Sequence, residues 1–164
     1  MSGDSIGNNR VDTAIEAVRK IALAAGYSET RLSSSSDRLV LPVKLEETRL
    51  QYVYIQFRED FATEHSSRHE VVATVFSTCH KFTEEDLHLD MPELAWELLK
   101  VNSKIPFGRY AAVESGENGE FALIVSCDHV IDTMDPPELA AMVEYIARIA
   151  DRFEVTHNFG ADDY

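Results

Sequence analysis

The sequence lacks the features that mark membrane proteins, exported proteins and nucleotide-binding enzymes. None of its stretches approaches the ~20 consecutive apolar residues that a membrane-spanning helix needs. It starts with MSGDSIGNNR, which is polar and lacks the apolar core of a signal peptide, so we expect a cytoplasmic protein without a membrane partner. The glycine-rich loops that hold nucleotide phosphates, G-x-x-x-x-G-K-[ST] and G-x-G-x-x-G, are absent.

Basic residues are few. The chain has 15 Lys and Arg against 29 Asp and Glu, which gives a net charge of −14. The basic residues are scattered, and no run of them would form a local patch. Such a surface repels phosphate backbones, so we expect no nucleic-acid partner. A basic or apolar protein segment is the more natural partner of an acidic surface.

Cysteine is also scarce, and the histidines show no metal-binding pattern. We expect Cys79 and Cys127 to be free thiols, packed as small apolar residues in a reducing compartment. A zinc site at Cys79, Cys127 and His129 would need three or four ligands converging from different strands, which no spacing indicates. His65 and His69 lie in a Ser-rich loop rather than in an H-E-x-x-H motif. We therefore predict no metal and no cofactor.

The sequence contains no recognisable catalytic motif. The serine run SSSSD at residues 33–37 has no flanking G-x-S-x-G turn and is typical of a solvated loop. Asp and Glu are so abundant that they indicate solvated acidic faces more readily than a catalytic pair. No nucleophile stands beside a recognisable base. We predict that the protein is not an enzyme and has no catalytic residues.

Hydrophobic periodicity predicts three helices and five strands. Apolar residues at helical spacing from Val11 to Ala25 predict a first helix that Gly26 ends with a left-handed cap. Two later helices begin alike, with DMPELA at Asp90 and DPPELA at Asp135, which place Asp at the N-cap and Pro in the first turn. They are predicted to end near Asn102 and Glu154. Alternating residues predict strands at 38–45, 49–57 and 71–82, and two more within Leu98–Ser126 that are joined through Asn118-Gly119.

The element order is helix, three strands, helix, two strands, helix. Because the strands mostly follow one another, we expect an α+β fold with an antiparallel five-stranded sheet and its helices on one face. Residues 10–157 would form a single domain, with a disordered tail at 1–9 and an acidic tail at 158–164. Pro42 cannot donate to a sheet ladder, which places its strand at an edge or a bulge.

Three helices are too few to cover both faces of such a sheet. If Val53, Ile55 and Phe57 face the helices, side chains of the alternate register point to the opposite face. We interpret that second face as an exposed apolar patch for a protein partner or for dimerisation. Its predicted members are Tyr52, Tyr54, Val72, Phe76 and Ile124.

The stretch LLKVNSKIPFGRY connects the second helix to the fourth predicted strand. Asn102 can end the helix by tolerating a left-handed conformation or by bonding the last carbonyls. Pro106 stops helical continuation, Phe107 would anchor the connection in the core, and Gly108 permits a close backbone approach or a bulge. We interpret these four residues as a structural joint rather than a reactive loop.

The run from Trp96 to Phe153 contains a series of positions in a characteristic order and spacing: Leu98-Leu99, Asn102, Pro106-Phe107-Gly108, Gly119, Asp135-Pro136 and Ala150-Asp151. In these positions it resembles the YbjN family of bacterial sensory-transduction regulators. The resemblance implies the fold of class I type III secretion chaperones, usually assembled as a homodimer. Chaperones of that fold are small and acidic and bind an extended segment of a client protein. No catalytic residues are implied.

Together these observations predict a dimeric, non-enzymatic protein-binding module, chaperone-like or regulatory, that holds a segment of a partner protein. A small-molecule-sensing regulatory domain is the main alternative, with a ligand on the exposed face or in the crevice between helices and sheet. A metal-dependent or hydrolytic enzyme that uses the neighbourhood of Cys79, Cys127 and His129 is a further alternative.

Overall fold

A single antiparallel sheet carries three helices in this structure, a computed structural model that describes residues 4–28, 32–34, 38–46, 49–59, 71–82, 91–115 and 120–157. The helices are α1 (Asp4–Ala24), α2 (Met91–Asn102) and α3 (Pro136–Thr156). The strands are β1 (Ser33–Ser34), β2 (Arg38–Lys44), β3 (Leu50–Glu59), β4 (Val71–Phe82), β5 (Arg109–Glu114) and β6 (Phe121–Val130). In the sheet the strand order is β1-β2-β3-β4-β6-β5, and neighbouring strands are antiparallel.

The predicted α+β fold, with five antiparallel strands and three helices in the stated order, is confirmed. The five predicted strands are β2 to β6, and β1 is an additional strand of two residues within the predicted serine loop. Because β1 pairs only with Leu39 and Val40, Pro42 lies beyond its end. In the described part of the chain β2 therefore forms the sheet edge at Pro42, where a missing N–H donor costs least.

The first helix begins earlier than the sequence predicted. Residues 4–9, which we assigned to a disordered tail, are helical. Extending an existing helix requires no new nucleation. The turns from Val11 onward pack on the sheet, so the polar residues before them can continue the same helix. The helix ends as predicted at Gly26, where φ is +95° and the N–H of Tyr27 donates to the carbonyl of Ala22 at 3.0 Å. Residues 1–3, the predicted tail at 158–164 and the Asn118-Gly119 turn lie outside the described residues.

Helices α1 and α3 pack on the same face of the sheet, and the core lies between them and the strands. That face carries the inward side chains Leu39 and Leu41 of β2, Val53 and Ile55 of β3, and Val75 of β4, all fully buried. Against them α3 buries Leu139, Met142, Val143 and Ile146, and α1 buries Val18 and Ala22. The apolar side chains that recur every second residue in the strands and every third or fourth residue in the helices thus pack in one cluster.

Helix α3 starts where its capping sequence predicts. The Asp135 carboxylate accepts a hydrogen bond from the backbone N–H of Glu138 at 2.8 Å, and Pro136 and Pro137 occupy the first turn. Helix α2 begins at Met91, but its predicted cap, Asp90, lies outside the described residues. Among the described helices, none combines the length and the apolar character that crossing a membrane requires.

Strand β4 contains a bulge between Thr78 and His80. Before the bulge Thr78 pairs with Ile124 of β6, and after it His80 pairs with Leu123. The inserted residue is Cys79, which is fully buried. Because of the extra residue, Lys81 returns to the same face as Thr78 although the two are three positions apart.

Candidate functional site

The face of the sheet opposite the helices holds the candidate site. Its residues do not belong to the apolar core cluster, and no described helix packs on it. Five strands, β2 to β6, form a groove there with a volume of about 730 Å³. We call it the open-face groove; it is lined by Arg38, Tyr54, Gln56, Arg58, Thr74, Phe76, Thr78, Lys81, Arg109, Ala111, Val113, Glu114, Ser115, Ala122, Ile124, Ser126 and Asp128.

Two aromatic rings form the apolar centre of the groove. Tyr54 of β3 lies directly across from Phe76 of β4, and their rings stack with centroids 5.3 Å apart. Both side chains are half-buried. Tyr52 lies on the same face, nearer the start of β3, and is 43% exposed. A stacked pair at a cross-strand position offers a rigid apolar surface that costs little side-chain entropy to immobilise.

All five residues predicted for the second face lie on it, but two of them are not exposed. Val72 is 8% exposed between its cross-strand neighbours Arg58 and Val130, and Ile124 is 6% exposed between Thr78 and Ala111. The prediction of an exposed patch is therefore wrong for Val72 and Ile124. In central strands, longer side chains on the neighbouring strands cover shorter ones, which is why Val72 and Ile124 are buried although they point to the open face.

A charged cluster lies at one end of the groove. The Asp128 carboxylate of β6 accepts hydrogen bonds from the Thr74 hydroxyl and the Arg109 guanidinium, both at 2.6 Å, and Arg58 approaches it to 3.2 Å. Partial burial alone would raise the pKa of Asp128. The hydrogen bonds from Thr74 and Arg109 and the two positive charges outweigh it, so the pKa lies below its ordinary value. Asp128 is thus a fixed anion that orients two arginines.

Basic residues converge on this face although they are scattered in the sequence. Arg38 of β2, Arg58 of β3, Lys81 of β4 and Arg109 of β5 all line the groove. The expectation that no basic patch forms is therefore wrong, because neighbouring strands bring together residues that lie far apart in the chain. One signal was available: Arg58 shares the alternating register of Tyr52 and Tyr54, so the reasoning that placed those tyrosines also places Arg58.

The predicted joint between α2 and β5 is held by two reciprocal hydrogen bonds. The Asn102 amide donates to the carbonyl of Tyr110 at 3.0 Å, and the N–H of Tyr110 donates to the Asn102 side-chain oxygen at 2.7 Å. Asn102 therefore bonds the backbone of the next strand rather than the helix's own last carbonyls. The Asn102 side chain makes the two hydrogen bonds to Tyr110 that the backbone of a neighbouring strand would make, and this fixes where β5 begins.

Gly108 and Phe107 complete this joint in different ways. Gly108 has φ of +87°, and a Cβ atom there would lie 3.0 Å from the carbonyl oxygen of Ser126. This is the close approach for which glycine is required. Phe107 does not enter the core as we expected: it is 38% exposed and packs edge-on against Tyr145 of α3, with ring centroids 5.7 Å apart. Pro106 is exposed.

Helix α2 carries a second exposed apolar surface. Leu94 and Leu98 pack against the core, whereas Trp96 and Leu99 on its outer side are each 61% exposed. We call Trp96 and Leu99 the α2 outer face. We predicted an exposed apolar surface on the sheet only, so Trp96 and Leu99 were not among the predicted interface residues.

The two cysteines occupy inert positions. Cys127 pairs with Val75, while Cys79 lies four residues further along β4, about 13 Å away at about 3.3 Å per residue. Both thiols are buried and free, and burial raises the pKa of Cys127 to about 12 and that of Cys79 still higher. Neither would form a thiolate at neutral pH.

The ring of His129 is engaged elsewhere, by the carbonyl of Val130 and the carboxylate of Glu138 at 2.9 Å. Within the described residues, no group of three or more His, Cys, Asp or Glu side chains is arranged to hold a metal ion.

A buried polar network lies between β3, β4 and α3. The Gln51 amide donates to the Ser77 hydroxyl at 2.9 Å and to the Glu154 carboxylate at 3.0 Å, and the Ser77 hydroxyl donates to the carbonyl of Tyr52. Burial raises the pKa of Glu154, an effect that the Gln51 hydrogen bond and Arg49 only partly oppose. Each polar group of this network finds a partner, which is what burial requires.

No protein-family model matches the chain, and no curated protein matches it in sequence.

Proposed function

We propose that this protein is a non-enzymatic binding module, chaperone-like or regulatory, that holds an extended segment of a partner protein in the open-face groove. The observation that carries the proposal is the Tyr54–Phe76 stack, an apolar platform on a sheet face that no described helix covers. In an ordinary two-layer α+β domain such a face is polar. The free, buried thiols of Cys79 and Cys127 suit a reducing compartment, so we propose that it acts in the cytoplasm.

An extended segment fits this surface better than a folded domain does. Its side chains alternate, so every second residue would point into the groove and could reach the aromatic pair. Aromatic platforms of this kind commonly supply the few contacts that dominate binding energy. Ile124 lines the groove and is only 6% exposed, so it gives the floor beneath a bound segment an apolar surface.

The proposal is tested by selecting binders from a library of random peptides of 12 residues, the length of β4. The baits are wild type, a groove variant (Tyr54→Ser, Phe76→Ser) and a control variant (Leu23→Ser, Val155→Ser). The control removes exposed apolar surface of α1 and α3 instead, since Leu23 is 37% and Val155 54% exposed. None of these changes alters the charge, and thermal unfolding verifies that each variant is folded.

Peptides enriched by wild type and by the control variant, but lost by the groove variant, would support the proposal. Failure to enrich any peptide would contradict it. Peptides that the groove variant retains at equal affinity would do so as well, because they would bind elsewhere. We expect the groove variant to lose at least tenfold in affinity, since truncating two central aromatic contacts usually costs more than about 1.4 kcal/mol.

We further propose that the α2 outer face forms a homodimer interface, which leaves the groove free for the partner. A two-fold axis would place Trp96 and Leu99 of two copies against each other. Helix α2 carries Glu93 in its first turn and Lys100 in its last, so antiparallel pairing sets the basic end of one helix against the acidic end of the other. The same patch is thus complementary to itself.

Sedimentation equilibrium at high micromolar concentration tests the dimer. We expect wild type and the control variant to have twice the chain mass, and a Trp96→Ser, Leu99→Ser variant to be monomeric. A monomeric wild type would refute the dimer and leave the groove proposal standing, because the two surfaces do not share residues.

A further inference from the structure

The described lining residues of the open-face groove carry a charge opposite in sign to that of the whole chain. They include four basic side chains and two acidic ones, Glu114 and Asp128, which together have a formal charge of +2. The chain as a whole carries −14. Salt screens exposed charges beyond about 8 Å at physiological ionic strength, so a ligand seated in the groove experiences mainly the local charges.

The basic side chains are concentrated at one end of the groove. Register places Arg58 opposite Val72 and Arg38 opposite Gln56, both toward that end, while Lys81 lies beyond the bulge at the other end. Glu114 also lines the groove at the Lys81 end, because it pairs with Phe121, next to the Ala122 partner of Lys81. The Tyr54–Phe76 stack lies between the two ends, so the excess of positive charge is on one side of it.

Two arginines at the first end are pre-oriented for a carboxylate. Arg58 and Arg109 start on β3 and β5, which are separated by β4 and β6, yet both guanidiniums reach Asp128. Their side chains remain 59% and 52% exposed. A guanidinium has five N–H donors, so a single shared carboxylate leaves donors that face solvent. Holding the two groups in place in advance reduces the entropy that a bound carboxylate would otherwise cost.

We propose that the segment bound in the open-face groove is acidic, with Asp or Glu residues beside an aromatic or aliphatic anchor. This inference rests on the proposed function and specifies the partner of the same groove. The anchor packs on Tyr54 and Phe76, and the neighbouring carboxylates pair with Arg58 and Arg109. It replaces the expectation, drawn from net charge alone, that the partner is basic.

The test compares two fluorescein-labelled peptides, EESFVFSEE and KKSFVFSKK, by fluorescence anisotropy against the full-length protein. They share the same apolar centre and differ only in the sign of the flanking charge. The net charge of −14 attracts the lysine peptide to the protein as a whole. A preference for the glutamate peptide can therefore arise only from local charge, and we expect it to bind at least tenfold more tightly.

Charge-neutralising variants locate the effect. An Arg58→Gln, Arg109→Gln variant is expected to bind the glutamate peptide at least fivefold more weakly than wild type does. Its affinities for the two peptides should therefore differ less than those of wild type. The matched control is Lys20→Gln, Arg148→Gln, which removes two basic groups from the exposed ion pairs of α1 and α3. The control is expected to bind like wild type, and equal weakening by both variants would overturn the proposal.

The outcomes separate this inference from the function on which it rests. If the lysine peptide binds equally or more tightly, and the groove variant abolishes that binding, the partner is not acidic but the groove still binds segments. If neither peptide binds and the library yields only neutral or basic peptides, the inference also falls alone. If neither peptide binds and the library yields nothing, both proposals fall.

Discussion

The two faces of the sheet are built from the same strands but have different physical tasks. Toward the helices, Val53, Ile55 and Val75 are fully buried in an apolar cluster. Toward the open side, the alternate residues Tyr54 and Phe76 stack in a groove that charged side chains surround. Because successive side chains of a strand point to opposite faces, adjacent residues in the sequence contribute to the core on one side and line the groove on the other.

Polar groups differ between the faces in the same way. On the helix side, Gln51, Ser77 and Glu154 satisfy one another inside the protein. On the open side, Asp128 pairs with arginines whose remaining surface is exposed. The first network is closed inside the protein, whereas the second keeps guanidinium donors that face solvent.

The largest expected contrast is in stability. Ile55→Ala removes a fully buried side chain and is expected to lower the free energy of unfolding by about 2–5 kcal/mol. Its neighbour Gln56 lies on the exposed side, and Gln56→Ala is expected to change stability by less than about 0.5 kcal/mol. Urea denaturation of both variants measures the contrast. Equal losses would contradict the division of tasks between the two faces.

The glycine directly before β5, Gly108, lies close to the backbone of β6. In Gly108→Ala the alanine would have to adopt a positive φ, and its Cβ would lie 3.0 Å from the Ser126 carbonyl oxygen. We therefore expect the free energy of unfolding to fall by about 2–3 kcal/mol. Gly26→Ala is the matched control: φ is also positive, but no atom lies within 4 Å of the added Cβ. It should lose only about 1 kcal/mol by the same denaturation measurement. A control loss equal to that of Gly108→Ala would show that the close approach to Ser126 has no cost.

Two carboxylates on opposite faces should give opposite dependences of stability on pH. The pKa of Asp128 is lowered from 3.8, so its ionised form stabilises the fold above that value, and the contribution is lost as pH falls through the folded-state pKa. The pKa of Glu154 is raised from 4.5, so its contribution is present below that value and is lost as pH rises through the folded-state pKa.

Asp128→Asn and Glu154→Gln, compared with wild type by denaturation between about pH 3 and about pH 7, test the signs. Asp128→Asn should cost about 1 kcal/mol at neutral pH and less in acid, because the ion pairs are partly exposed. Glu154→Gln keeps an oxygen that can accept the Gln51 hydrogen bond and should gain stability relative to wild type as pH rises. If the difference in free energy of unfolding between each variant and wild type did not vary with pH, or varied in the same direction for both variants, the environments of Asp128 and Glu154 would not be distinct.

Local sequence patterns predicted most of the fold and part of the site. Alternation placed Tyr52, Tyr54 and Phe76 on one face because a period of two is a property of the extended chain itself. The Asp135 cap and the Gly26 end were predictable for the same reason, since caps involve residues only a few positions apart. The start of α1 at Asp4 was missed because polar turns carry no hydrophobic pattern to read.

The sequence by itself determined the α+β class, the order of the elements and which residues alternate, because each depends on contacts within a few residues along the chain. Only the tertiary structure decided that Val72 and Ile124 are covered, that β4 bulges at Cys79, and that Arg58 and Arg109 meet at one carboxylate. These depend on which strands are neighbours and in what register. Pairing β4 with β6 across an intervening helix and strand is a long-range choice, and it brings basic residues that are scattered in the sequence to one face of an acidic protein.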